Sequence, residues 1–584
     1  MLGFHPERIL LFLGALWLAP VGVLFAAQVQ VQLEGLEGEK RKNALALLEI
    51  NQRASDENLT EHLIRRLHSR APEQIARSVQ PFGFYRIQVD SELREPASDG
   101  KAWSARYRVE LGDPVKIGAV DYRVTGPGEE DAVFPDEFGM RPGDVLIHSD
   151  YEESVRRLID AASRNGYLDA SLETHRVVVD PEANEAKVEV VLATGPKYYL
   201  GAVTFKQDLL DDDFLRRYIR FNRGDVYDPS KLLGLQASLL ASEYYDTVDI
   251  VPHKEEAEGN VIPLDVVATP NKANKYRVGT GYATDTGPRI RLDWERRYVG
   301  RRGHRMHAEL AVSPALSFLK GEYRIPLEKP TQDLLFIRPS IDSYDTSSRE
   351  GTIAQVELGH SVILDNGWRR ITGLNYRYED YTDPVESRSL NELVPNISFS
   401  KTVTDDPILT RNGYRIQASA MGSVEGLISP SSYLGGRLFA KWIRSFGSDY
   451  RLITRADLGM TFAESLFDLP ASRRFYAGGD SSIRGWGVDV LGPNDPDTND
   501  TLGGRWLGVG SVELERKIYG DWGGAVFYDF GNAFDPDYKK EFKQGAGFGV
   551  RWRTPVGLVR VDIAFALSKP DMPARLHVVV GPDL

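Results

Sequence analysis

Two spacings of apolar residues divide the chain near residue 270. Before it, apolar residues recur at intervals of three and four between short alternating runs, the pattern of amphipathic helices that pack on strands. The residues that share one helical face are Val155, Leu158, Ile159 and Ala162 in one segment, and Leu232, Leu235, Leu239 and Leu240 in another. This part of the chain is therefore predicted to mix helices and strands.

The same part contains a repeat with a period of about 80 residues, which indicates tandem domains. GDPVKIGAVDY at 112–122 and TGPKYYLGAVTF at 194–205 each precede a Gly-Asp-Val triplet, a helical stretch, an aromatic step and a hairpin. A more diverged copy comes first, and its GFY at 83–85 matches GYL at 166–168. The prediction is three α+β domains of order β-α-α-β-β, at 28–112, 113–194 and 195–270.

After residue 270 the apolar spacing changes to two. In VGLVRVDIAFAL at 556–567, Val561 and Ile563 alternate with Arg560 and Asp562. A soluble sandwich would bury the apolar face, whereas a membrane barrel exposes it to lipid and keeps the other face wet and charged. Charges recur on the second face, which favours the barrel. At about 19 residues for each strand and its loop, 271–584 predicts a transmembrane antiparallel β-barrel of roughly 16 strands.

The first 27 residues have a different character. Arg8 precedes an apolar run that ends in the small residues Ala26 and Ala27, which is typical of a secretory signal peptide. The run is nearly long enough to span a membrane as a helix. Pro20 and the terminal alanines favour cleavage. The mature chain is therefore expected to be exported, either to the periplasm or into an outer membrane.

Composition narrows the possible chemistry. The net charge of -13 argues against a nucleic-acid partner, which would need a basic face. Without cysteine, the chain has no disulfide framework, thiolate metal site or cysteine nucleophile. The pair His304 and His307 lacks a carboxylate at metal spacing, and GGDSS at 478–482 lacks the ending of a phosphate-binding loop. We expect no enzyme, no catalytic residue, no metal and no cofactor.

One loop, GGDSSIRGWG at 478–487, carries a lone arginine among glycines and serines. Glu513 and Glu515 alternate with apolar residues on a predicted strand, and Asp529 does so on the next. If the apolar faces meet lipid, these carboxylates point into the barrel. Arg484 could then dock on Asp529 and on Glu513 or Glu515 through paired hydrogen bonds. The alternative is a solvated loop arginine beside unrelated lumenal acids.

A second candidate site is the seam where the first predicted strand, near 275–284, meets the last, at 574–581. Glycine weakens a strand and proline lacks an N–H, so Gly581 and Pro582 leave few good ladder bonds. A seam of this kind could open sideways and pair with a strand from another chain. The positions assigned to it are Val278, Gly279, Val578 and Gly581.

These features together resemble a superfamily of outer-membrane assembly factors that includes BamA and the two-partner secretion transporters. Its members place POTRA domains before a barrel. IRGW at 483–486 is similar to the (V/I)RG(F/Y) signature of a barrel loop, with Trp486 in place of Phe or Tyr. AVFYDFGNAF at 525–534 resembles an F-x-D-x-G strand motif that ends at Gly531, and YVGRRGHRM at 298–306 resembles a periplasmic turn. The three copies and the ending HVVVGPDL at 577–584 resemble the TamA branch, part of the translocation and assembly module.

The resemblance implies several further properties. The loop latch would comprise Arg484, Gly485 and Trp486 on the loop and Asp529, Gly531 and Glu513 or Glu515 on the barrel, with Glu513 at the matching family position. It implies the Gram-negative outer membrane, with the POTRA domains in the periplasm. It also implies ATP-independent insertion of outer-membrane clients, especially autotransporters, and a TamB-like partner anchored in the inner membrane. Outer-membrane lipid is a further contact. A polypeptide transport pore, or a role in envelope lipid homeostasis with the same partner, stays open as an alternative.

Overall fold

The computed structural model describes residues 28–56, 59–96, 102–538, 540–554 and 557–581. The predicted signal peptide and the last three residues lie outside these ranges. Among the described helices, none combines the length and the apolar character that a membrane-crossing helix needs. The chain forms two compact units, and the third small domain contributes residues to both of them.

Three small domains come first, and each contains a three-stranded sheet with its last strand in the middle. The strands are β1 (Val29–Glu34), β2 (Gln88–Arg94), β3 (Trp103–Glu110), β4 (Lys116–Thr125), β5 (Ser171–Asp180), β6 (Glu185–Ala193), β7 (Tyr199–Lys206), β8 (Tyr245–Pro252) and β9 (Val261–Pro270). The helices are α1 (Gly38–Leu47), α2 (Glu49–Gln52), α3 (Glu61–Val79), α4 (His148–Arg164), α5 (Asp212–Leu215) and α6 (Pro229–Ala241). The predicted α+β class is confirmed.

Helix packing follows the apolar spacing. Leu158 and Ala162 of α4 are buried, and Val155 and Ile159 pack against the same core. In α6 the buried residues are Leu232, Leu235 and Leu239, whereas Leu240 is exposed and falls outside the face predicted for it. The spacing of apolar residues therefore predicted the positions of both helices, but it wrongly assigned Leu240 to the buried face of α6.

The second domain departs from the β-α-α-β-β order. Turns replace its first helix between β4 and α4, and Phe134, Phe138 and Met140 from this stretch are buried in the core. Pro127 and Pro135 interrupt the segment, and proline removes a backbone donor and blocks helix propagation. The side chains of this turn segment thus contribute to the core of the second domain, although the segment is not helical.

Within the described ranges, sixteen strands form a closed antiparallel barrel in chain order. They are β10 (Asn274–Ala283), β11 (Gly287–Val299), β12 (His304–Val312), β13 (Leu316–Pro326), β14 (Asp333–Asp345), β15 (Glu350–Ile363), β16 (Arg369–Thr382), β17 (Ser387–Thr404), β18 (Gly413–Ser423), β19 (Tyr433–Phe446), β20 (Tyr450–Phe462), β21 (Trp506–Tyr519), β22 (Trp522–Phe534), β23 (Lys543–Thr554), β24 (Gly557–Ala566) and β25 (Ala574–Gly581). The predicted strand number is confirmed.

Alternation along the barrel strands separates an apolar outer face from a charged interior. On β21, Val512 and Leu514 are 45% and 42% exposed, whereas Glu513 and Glu515 are 7% and 4% exposed. Successive side chains on a strand point to opposite faces, so a single register places every acid of this strand inside. Glu513 and Glu515 therefore lie on the interior face of the barrel wall, as the alternation of residues predicted.

Candidate functional site

The connection between β20 and β21, residues 463–505, folds so that its central part is buried. Ile483, Arg484 and Trp486 are 0%, 7% and 7% exposed. Gly485 between them has φ +90°, and a Cβ there would lie 2.8 Å from the carbonyl carbon of Phe565. Only glycine combines that backbone conformation with so close an approach to β24. The glycine of the Arg-Gly-Trp unit therefore lets the loop lie against the wall.

Arg484 is held by three carboxylates. Its Nε and Nη2 donate to the two oxygens of Asp529 at 2.8 and 3.0 Å, and its backbone N–H donates to the same side chain at 3.0 Å. Nη1 donates to Glu513 at 2.7 Å and to Asp562 at 3.2 Å. The guanidinium also lies 3.4 Å from the ring centre of Phe527. Paired hydrogen bonds and a stacked ring hold the arginine in one orientation.

Further arginines balance the acids around Arg484. Arg551 of β23 donates to Glu513, Glu515 and Asp562. Glu515 is bonded to Arg451 at 2.6 Å and to Arg551 at 2.9 Å. Of the two glutamates proposed for Arg484, Glu513 is therefore the one it contacts. Sequence reasoning did not identify Asp562, Arg551 or Arg451 as members, although the first two lie on the charged faces of alternating strands.

The other predicted loop and motif residues have separate contacts. Trp486 donates from Nε1 to the carbonyl of Gln544 at 3.2 Å. Gly531 lies opposite Val509, and a Cβ there would be 2.0 Å from the carbonyl oxygen of Gly508. The glycine of the F-x-D-x-G motif thus permits a close approach between β21 and β22, whereas the tryptophan fixes the loop to β23.

The loop backbone packs directly on Gly545 of β23, because a Cβ at that position would lie 2.0 Å from the carbonyl oxygen of Arg484. We expect Gly545→Val to displace the loop, with much faster hydrogen exchange at residues 480–488. Gly436→Val is the control, since the nearest atom to its Cβ would be 3.6 Å away. Unchanged protection of the loop amides in Gly545→Val would contradict this packing.

The seam between the first and last strands is short. Across the described residues, β10 and β25 share one registered pair, Ala283 with Val579, and the Val578 N–H also donates to Thr284 Oγ1 at 2.8 Å. By contrast, β16 and β17 are paired without interruption from Arg369 with Ser400 to Thr382 with Ser387. The ladder that closes the barrel is thus far smaller than a ladder in its wall.

The four predicted seam positions are not opposite one another. Val278 and Gly279 face Leu292 and Arg291 of β11, whereas Val578 and Gly581 face Val561 and Leu558 of β24. They flank the seam without forming its registered pair. That pair lies at the C-terminal end of β10, five residues after Val278.

The buried loop also bridges the seam. The Gly485 N–H donates to Nε2 of His577, a residue of β25 that is 1% exposed, at 2.9 Å. Because Nε2 accepts, Nδ1 carries the hydrogen and donates to Asp480 of the loop. The Asp480 N–H donates in turn to Asp285, next to the end of β10. One loop thus contacts β25 and the residues that follow β10.

Two groups of carboxylates and histidine have geometry that a metal ion could use: Asp285, Asp480 and His577, and Asp293, His307 and Glu309. The second shows that His307 does have carboxylates nearby, which its spacing in the sequence did not reveal. Arginines already serve both groups, since Arg575 lies 3.6 Å from Asp285 and Arg291 donates to Asp293 at 3.0 Å. Arginine therefore supplies the positive charge that these acids need.

The chain has three small α+β domains followed by a β-barrel, which has a short seam and encloses a loop with a buried arginine. This combination is typical of a class of outer-membrane proteins with periplasmic domains. A protein-family model described as the Omp85 superfamily domain matches residues 272–581. Models described as POTRA domain TamA domain 1 and as surface antigen variable number repeat match 30–111 and then 116–195 and 198–270. The chain belongs to the Omp85 superfamily, which implies the Gram-negative outer membrane with the POTRA domains in the periplasm.

Two curated relatives are named outer membrane protein assembly factor BamA. The one from Neorickettsia risticii (strain Illinois) is 22% identical over 506 residues, 79% of this chain and 65% of the relative. The one from Nitratidesulfovibrio vulgaris (strain Hildenborough) is 22% identical over 440 residues, 70% of this chain and 54% of the relative. The chain therefore spans less than two thirds of either protein.

Among solved structures, BamA from Haemophilus ducreyi lacking POTRA domains 1–3 has a similar fold. The TM-score is 0.69 at 14% identity, and the match covers 80% of this chain and 99% of that chain. At this identity the likeness concerns the fold alone.

Proposed function

We propose that this protein is an outer-membrane assembly factor that inserts β-barrel clients by pairing their strands with the open edge of its own first strand. The observation that carries the proposal is the single registered pair between β10 and β25 among the described residues. Below Ala283, the edge of β10 that faces away from β11 has no registered partner in that part of the chain. An unpaired strand edge is a template for another strand.

The free energy of the ladder hydrogen bonds favours opening of the barrel between β10 and β25. Each backbone hydrogen bond contributes roughly 0.5–1.5 kcal/mol net, so separation of a ladder with one registered pair costs far less than separation of a full wall ladder. Further connections across the seam come from the Val578–Thr284 hydrogen bond, from Arg575 near Asp285, and from the loop through His577 and Asp285. Opening would therefore require release or movement of the loop as well as rupture of the ladder.

The client class and partner are proposed from the TamA branch. The first domain matches a family model described for TamA domain 1, and the chain has three such small domains before its barrel. We infer that autotransporters are among the clients and that a TamB-like protein, anchored in the inner membrane, docks on the periplasmic domains. Contact of the apolar barrel face with outer-membrane lipid is part of this proposal.

The test is a folding assay with the full chain in liposomes. An unfolded autotransporter barrel is added, and its folding is followed by heat-modifiable gel mobility. We expect folding at least about tenfold faster than in empty liposomes, and faster than in liposomes that contain a porin of similar size. Equal rates would contradict the proposal. Ion conductance without client folding would favour the polypeptide pore, and lipid transfer without client folding would favour the lipid role.

A further inference from the structure

The three small domains share a special backbone position just before their second strand. Gly83, Gly166 and Glu243 each precede an aromatic residue and have φ of 88°, 86° and 56°. A Cβ at Gly83 would lie 2.7 Å from the carbonyl of Leu146, and one at Gly166 would lie 2.6 Å from the carbonyl of Tyr198. Sterics thus demand glycine in the first two copies. The third copy instead places a charged residue in a conformation that disfavours side chains.

The side chain of Glu243 contacts the first two barrel strands. Lys275 of β10 donates to both carboxylate oxygens, at 3.1 and 3.2 Å, and Arg297 of β11 donates from Nε at 3.3 Å. Burial raises the pKa of Glu243, but the hydrogen bond and charge of Lys275, with those of Arg297, outweigh it and hold the pKa below its usual value. The carboxylate is therefore charged at neutral pH.

The same domain has separate contacts with the turn between β11 and β12. Tyr244 Oη donates to the carbonyl of Gly303 at 2.5 Å, and Arg305 lies 4.4 Å from the centre of the Tyr244 ring. Arg301 donates to Asp211 at 2.8 Å. These contacts hold the domain at the barrel without β10. The ion pair of Glu243 with Lys275, by contrast, reaches the strand with the unpaired edge.

We propose that Glu243 is a positioning residue that fixes the periplasmic half of β10, residues 274–280, against the third small domain, so that the unpaired strand edge is presented in one orientation. This inference rests on the proposed function and deepens it, because it names a residue that controls the templating strand. Backbone strain at Glu243 is consistent with such a role, since an unfavourable conformation persists where the surrounding structure requires the side chain.

Glu243→Gly separates this role from domain stability, because glycine suits the backbone and matches the other two copies. With the full chain in lipid nanodiscs, we expect amide exchange at 274–280 about fivefold faster, the effect of one partly exposed ion pair. The melting temperature should not fall. Asp211→Ala is the matched control, since it removes an ion pair from the same domain face but leaves β10 at the wild-type rate.

The salt dependence of amide exchange is a second test of the Glu243–Lys275 ion pair. The pair is partly exposed, with 41% of the Glu243 side chain and 31% of the Lys275 side chain accessible, so about 0.5 M NaCl should screen it. Exchange at 274–280 should rise with salt in the wild type and not in Glu243→Gly. Wild-type exchange in Glu243→Gly at low salt would overturn the inference. Faster exchange with unchanged client folding would uphold the positioning role and count against strand templating as the function.

Discussion

Asp529→Ala is expected to release the buried loop, with loss of about 3–5 kcal/mol from the stability of the docked state. Asp529 is fully buried and accepts hydrogen bonds from Nε, Nη2 and the backbone N–H of Arg484. Its removal leaves a buried guanidinium without its bidentate partner. Glu513 and Asp562 cannot replace it, because Arg551 already shares both of them.

The measurement is hydrogen exchange at residues 480–488 in the membrane-embedded protein. A loss of this size should speed exchange by roughly two to four orders of magnitude where local opening limits it. Asp457→Ala is the matched control. It removes a bidentate arginine partner from another lumenal pair, Arg437 with Asp457, in which the arginine side chain is 52% exposed. Screening by water limits its effect to about 1 kcal/mol or less. Equal loop exchange in the two variants would contradict the latch.

The alternation of apolar and polar residues was enough to place the carboxylates of the latch inside the barrel. A strand has two faces, so one register decides every side chain on it, and Glu513 and Asp529 lie on strands that follow each other in the chain. The choice between Glu513 and Glu515 was beyond such reasoning, because it depends on how deep the loop enters. Depth depends on close contacts such as that of Arg484 with Gly545.

The registered pair at the seam could not be predicted from the sequence, for a different reason. Pairing of Val278 with Val578 assumes that the first and last strands lie at equal height. A closed barrel requires a stagger between its strands, and sequence does not reveal where the stagger is taken up. Here β10 meets β25 at Ala283 with Val579. His577 was missed for the same reason, since its contacts with Asp480 and Gly485 depend on both the stagger and the path of the loop.

The registered pair gives the second prediction, a test of the gate by cross-linking. Residues directly opposite in antiparallel strands have Cα atoms about 4.5–5.5 Å apart, within the range for a disulfide. Ala283→Cys with Val579→Cys should therefore oxidise readily in a chain that has no other cysteine. Oxidation should reduce client folding at least about tenfold, to the level of empty liposomes, and reductant should restore it.

Ala418→Cys with Leu438→Cys is the matched control, because these residues are opposite each other on β18 and β19, away from the seam. A disulfide there should leave client folding unchanged, which separates closure of the seam from general stiffening of the barrel. If both oxidised proteins fold clients at the wild-type rate, strand exchange at the seam is wrong as a mechanism. If both fail equally, the barrel must deform as a whole. Failure of the seam pair alone would mean that the barrel acts through its first strand, because only there does the disulfide replace a ladder that has to open.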